Sequence, residues 1–142
     1  MPITRATLTF DGQKVDVVDA VFAMNTAKDP SGMPQMQTLT TAVNVRLDLH
    51  DDQNVPFAAI KKFFDLANVA TREKVKDLKM ELWKDDAKKD VICSFKCKAW
   101  ISSFRASNVG ADAGGTVYNH VLDIEFTPVH NQANYQEITL GN

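Results

Sequence analysis

Apolar and polar residues alternate along most of the chain, and that alternation predicts strands. Ala6, Leu8 and Phe10 alternate with Thr7 and Thr9, and Asp11-Gly12 then supplies a strong hairpin turn. Val15 and Val17 resume the pattern on the return strand, which continues less regularly through Val21-Phe22-Ala23-Met24. Residues 38–50 carry the clearest alternation. Leu39, Thr41, Val43, Val45, Leu47 and Leu49 fall on one face, and Thr40, Ala42, Asn44, Arg46, Asp48 and His50 on the other. Farther on, Leu78, Met80 and Leu82 oppose Lys79, Glu81 and Trp83, and residues 85–90 form a charged turn. Over residues 91–104, Val91, Cys93, Phe95, Cys97, Ala99 and Ile101 share one face. Ile92, Ser94, Lys96, Lys98, Trp100, Ser102 and Phe104 share the other. In the last long strand, residues 116–126, Tyr118, His120, Leu122, Ile124 and Phe126 align, and residues 135–140 add a short terminal strand.

The period changes once. After Asp51-Asp52-Gln53-Asn54, which offers N-cap candidates, Phe57, Ile60, Phe63, Phe64 and Ala67 recur at helical spacing, with Pro56 suited to the first turn. Two segments interrupt the strands. Asn108 to Thr116 holds Gly110, Gly114 and Gly115 and is expected to be a flexible loop. Ala27-Lys28-Asp29-Pro30-Ser31-Gly32-Met33-Pro34-Gln35-Met36 has too much proline and glycine for regular structure. Such a long connection is usually functional, and its apolar Met33 and Met36 imply a cover. With roughly six or seven strands, one embedded helix and no βαβα alternation, the expected fold is mainly β. It is a two-sheet antiparallel β-barrel or sandwich with one α-helix packed on it, in a single domain over residues 1–142.

Composition changes this picture little. A chain of 142 residues with 44% hydrophobic and 24% charged residues is ordinary for a globular domain. A net charge of −2 argues against a nucleic-acid partner. No apolar run approaches the ~20 residues that span a bilayer, so membrane insertion is not expected. The N-terminus lacks the pattern of a secretory signal, which points to synthesis in the cytoplasm and any export by a route without signal processing.

The search for chemistry predicts no catalytic residue, no metal ligand and no cofactor. His50, His120 and His130 share no local ligand spacing with one another or with cysteine. Cys93 and Cys97 lie in the apolar register, about 13 Å apart on an extended strand, as buried inert thiols would. Both acidic pairs, Asp51/Asp52 and Asp85/Asp86, occupy turn positions that favour aspartate. Trp83 and Trp100 sit on the less apolar faces of their strands. Tryptophan so placed either marks an interface or is covered within the monomer, and the two readings stand about even. Several strands are apolar on both faces, which with the long loop predicts surface buried by identical neighbours.

Several stretches resemble the Hcp family, the inner-tube subunits of the type VI secretion system, which shares its fold with phage tail tube proteins. Thr7-Leu8-Thr9-Phe10-Asp11-Gly12 is similar to that family's opening strand and turn, and Leu78-Lys79-Met80-Glu81-Leu82-Trp83 to the strand after its helix. Asp29-Pro30-Ser31-Gly32-Met33-Pro34 stands in the place of its extended loop. The resemblance implies a hexameric ring that stacks into a tube carrying effectors, with contractile sheath, spike and baseplate proteins as partners. It assigns ring or stacking contacts to the loop from Asp29 to Met36, and a phage-like or extracellular contractile particle shares the same expectation. A small ligand-binding barrel is the alternative of a different class.

Overall fold

Asp11 and Gly12 both take positive φ, 50° and 80°, the geometry that Asp-Gly favours in a two-residue hairpin. They join β1 (Ala6–Phe10) to β2 (Gln13–Val17) in the predicted hairpin, with Leu8 opposite Val15. The computed structural model describes residues 6–35, 39–51, 53–84, 89–111, 115, 117–129 and 137–140. Within these, β3 (Asp19–Asn25) and β4 (Thr40–Asp48) precede the helix α1 (Phe57–Ala67). After it come β5 (Lys76–Trp83), β6 (Val91–Ala111), β7 (Val117–Pro128) and β8 (Glu137–Leu140).

All pairings are antiparallel, in the order β2-β1-β5-β6-β7-β4-β3 with β8 on β6. The two layers are therefore parts of one hydrogen-bonded sheet that curls on itself. Its two edges, β2 and β3, are joined by Val18, whose N–H donates to the Arg46 carbonyl at 2.8 Å. Chain continuity, rather than a β2–β4 strand ladder, brings the edges together. Inside lie Leu8, Phe10, Val43, Leu47, Met80, Ile124 and Phe126, all but inaccessible to water. Phe10 and Phe126 meet with ring centroids 4.8 Å apart although two strands separate β1 from β7. Phe63 of α1 caps this cluster edge-on at 6.2 Å from Phe10.

Several expectations are corrected. Ser102 is an extra residue in β6 where the register shifts between Ile101 and Ser103, so the alternation reverses beyond it. Phe104 therefore turns inward opposite Ile124, leaving the outer face on which simple alternation places it. Strand β6 also runs to Ala111, pairing with Val117, so the expected loop starts later than Asn108. His120 takes a φ of 65°, which sends its side chain out to solvent while Val121 and Leu122 are both buried. On α1, Ala59 and Phe63 point in, but Phe57 and Phe64 remain 69% and 46% exposed, because the apolar stripe is wider than the sheet surface it covers. Pro56 is the N-cap, one position earlier than expected, and the cap lacks a side-chain hydrogen bond. Asp51 instead accepts from Asn54, making a separate turn ahead of the helix. No helix among the described residues is long and apolar enough to cross a membrane.

Candidate assembly surfaces

The segment after β3 forms no strand or helix among its described residues, as its proline and glycine imply, yet it is fastened by its own hydrogen bonds. Oδ1 of Asp29 accepts from the Ser31 amide (3.0 Å), the Ser31 hydroxyl (2.7 Å) and the Met33 amide (2.9 Å). Backbone bonds from Asp29 N to Met33 O and from Gln35 N to Ala27 O, with a bridge between Lys28 and Pro34, close it into a narrow arm. Proline lacks an N–H but still offers its carbonyl, and the short side chain of Asp29 supplies the acceptor that the tight turn needs. The Ser31 hydroxyl and the Met33 amide hold the Asp29 carboxyl below the usual carboxylate range. Pro30, Ser31, Gly32, Met33, Pro34 and Gln35 are all exposed, so the arm stands out from the body. Met36 lies outside the described residues. At the root of the arm, β3 pairs on one side only, with β4, and exposes Val21 and Met24.

Neither tryptophan stands fully exposed. Trp83 is half-buried on the outer face of β5, where its indole N–H donates to Thr7 Oγ1 at 3.1 Å. The Lys14 ammonium lies 5.7 Å from the Trp83 ring. Trp100, also half-buried, floors an open groove of about 330 Å³ walled by Ala70, Thr71, Arg72 and Val75. Covering within the monomer accounts for both rings in part, and only the Trp100 groove leaves an indole beside open space.

Two groupings went unread in the sequence. Asp19, Arg46, Asp123 and Arg105 stand opposite one another across β3, β4, β7 and β6, an alternating charge row on the outer sheet face. Arg46 Nε donates to Asp123 Oδ1 at 2.7 Å, and the same guanidinium reaches the Ala111 carbonyl at the far end of β6. The Asp123 carboxylate raises the Arg46 pKa further above its ordinary value. An open groove of about 340 Å³ follows this row, lined also by Asn44, Ser103 and Glu125. The second grouping is His50 with His120, whose Nε2 and Nδ1 are 2.7 Å apart. Seventy positions separate the two in sequence, so no local spacing could reveal either grouping; the β4–β7 register brings the histidines and Arg46–Asp123 together, and the β3–β4 and β6–β7 registers add Asp19 and Arg105.

The cysteines are free thiols, Cys93 buried and Cys97 partly so, and burial pushes the Cys97 pKa up to about 11. A thiol so shifted is a poor nucleophile at neutral pH. Among the described residues no group of three or more His, Cys, Asp or Glu side chains could hold a metal ion.

No family profile matches the chain, and no curated protein matches it in sequence. Solved structures do match. A chain of the PVC extracellular contractile injection system, from its sheath–tube complex in the extended state, is 16% identical with a TM-score of 0.55, covering 99% of this chain and 91% of that one. The fold is that of contractile-injection tube proteins. Hcp1 from Flavobacterium johnsoniae is 12% identical with a TM-score of 0.58, covering 87% of this chain and 89% of its own. Hcp1 from E. coli EAEC 042 is 10% identical with a TM-score of 0.59, covering 96% and 98%. Other matched chains come from a tube-terminating cap, a sheath/tube terminator and a baseplate.

Proposed function

We propose that this chain is a structural subunit of the inner tube of a contractile injection system. Copies close into a hexameric ring, rings stack into a hollow tube, and the tube carries effector proteins in its lumen. Sheath, spike and baseplate proteins are its partners. The observation that carries this reading is the match of essentially the whole chain to a tube-complex chain, 99% of this one against 91% of that one.

The arm from Asp29 to Gln35 supports the same reading. A solvent-exposed hairpin that fastens its own turn is rigid enough to meet a neighbour without a large ordering cost. It would make the ring or stacking contact, with the open edge of β3 beside it. The work is mechanical and makes or breaks no bond. The subunit is made in the cytoplasm and leaves through the machine itself. Type VI and extracellular particles both lie within this proposal, since tube-like chains of each kind match the fold. The ligand-barrel alternative needs an internal cavity, and the side chains of Phe10, Phe63, Phe126, Leu47 and Met80 occupy the interior.

Light scattering with negative-stain imaging tests the proposal. The expected result is a ring with six times the 15.8 kDa mass of the chain. A monomer that persists at high concentration would overturn it.

A further inference from the structure

We propose that His50 and His120 form a surface site for a borderline divalent transition ion such as Zn²⁺, Ni²⁺ or Cu²⁺, independent of the tube function. The two imidazoles converge across the β4–β7 boundary, with His50 Nε2 2.7 Å from His120 Nδ1 and ring centroids 4.9 Å apart. Both residues are exposed, so a hydrogen bond between the rings competes with water and explains little of why they meet.

The backbone places them. The His120 carbonyl accepts from the amide of Leu49, next to His50, at 3.1 Å, and the His50 amide donates to Asp48 Oδ1 at 3.0 Å. His120 also takes a φ of 65° inside a strand, a left-handed conformation uncommon for any residue but glycine. Such strain is held by its surroundings and concentrates at sites that use it. Its effect here is to swing the imidazole of His120 out of the strand's alternation and onto His50.

The chemistry fits imidazole-binding metals. Two bonds of about 2.0–2.1 Å at a tetrahedral angle put the nitrogens roughly 3.3 Å apart, about 0.6 Å beyond their present 2.7 Å. Exposed rings reach this by small rotations. In the hydrogen-bonded pair one ring donates its N–H to the other. Metal binding needs a lone pair from both facing nitrogens, so the donor ring moves its proton to its other nitrogen and no net charge changes. Water completes the coordination, since among the described residues no third protein ligand joins the pair. Imidazole selects zinc, nickel and copper over magnesium and calcium, with copper bound most tightly of the three.

Calorimetric titration of the untagged full chain with ZnCl₂, NiCl₂ and CuCl₂ tests the site. The expected outcome is one ion per chain, no heat with MgCl₂, and a loss of affinity on the order of tenfold or more in His50→Ala and in His120→Ala, each variant removing half the chelate. Equal binding by the double variant, or none by the native chain at millimolar metal, overturns the site. Should a variant misfold by circular dichroism, substoichiometric Ni²⁺ on the native chain decides by NMR. Paramagnetic broadening should strike two of the three histidine ring signals first, those of His50 and His120. Broadening elsewhere first, or nowhere, overturns the proposal.

Discussion

At residue scale, single positions fix local backbone shape. Asp29 is the pin of the arm, since one carboxylate oxygen gathers two amides and a hydroxyl. In Asp29→Ala, hydrogen exchange at the Ser31 and Met33 amides should quicken several-fold while the β-core amides stay protected. Acid should do the same to the native chain. The folded Asp29 pKa lies below its unfolded value, so the stabilisation is complete above the unfolded value, near 4, and is lost as pH falls through the folded one. Arm-confined loosening below about pH 4 in an exchange series would show it. Gly110 is fixed by close approach instead. A Cβ built there meets Val121 Cγ2 at 2.6 Å, and a branched, buried valine cannot swing aside. Gly110→Ala should cost about 1–3 kcal/mol in denaturant unfolding, the range of an overpacked site.

At the scale of elements, α1 shows how a helix ends without its usual signals. The residue after its C-cap, Val69, has a φ of 56° and is 77% exposed. Glycine normally takes this place, because a β-branched residue is strained there. Lys74 compensates by donating to the Asp65 carbonyl at 2.9 Å and to the Asn68 carbonyl, filling acceptors that the helix leaves open. Val69→Gly removes the strain and almost no buried surface, so thermal unfolding should register a gain of about 0.5–1 kcal/mol. On its buried side α1 is fastened by Phe63 against Phe10 and by the ion pair from Lys62 to Asp11, 3.3 Å long, at the first hairpin turn. Its outer Phe57 and Phe64 add apolar surface that the sheet does not cover, though Phe64 keeps an edge contact with Phe104 at 5.7 Å.

For the whole molecule, the arm is a mostly exposed segment that fastens its own turn. Every arm residue from Pro30 to Gln35 is exposed, and the hydrogen bonds that shape the turn run within residues 27–35. Deleting residues 29–35 should therefore leave the unfolding midpoint of the barrel nearly unchanged while weakening ring closure or stacking, measured by light scattering on the same samples. Unchanged assembly would remove the arm from the interface. Trp83 contributes differently. Its bond to Thr7 ties β5 to β1 within one subunit, so its replacement should act on stability before assembly.

The return strand expected to run on through Met24 divides at Val18 into β2 and β3. The sequence by itself determined the other strands, most of their inward residues, the Asp-Gly hairpin and the position of α1. Each rests on a period of two or near 3.6, or on one turn dipeptide, and all of these are local properties of the chain. Residues 29–34 could be recognised as an unusual segment by composition, but not as an ordered arm, because the bonds of Asp29 appear only once the turn is closed. Tertiary structure decided the rest. A single added residue, Ser102, inverted the face of Phe104, and the left-handed backbone of His120 carried it out of the apolar row. Alternation cannot anticipate either event, since each depends on the partner strand. The charge row through Arg46 and the pairing of His50 with His120 arise from register between β4 and β7, across some seventy residues of chain. The approach of the open sheet's two edges at Val18 belongs to the same class: they come near each other because the whole sheet curls, which no segment specifies alone.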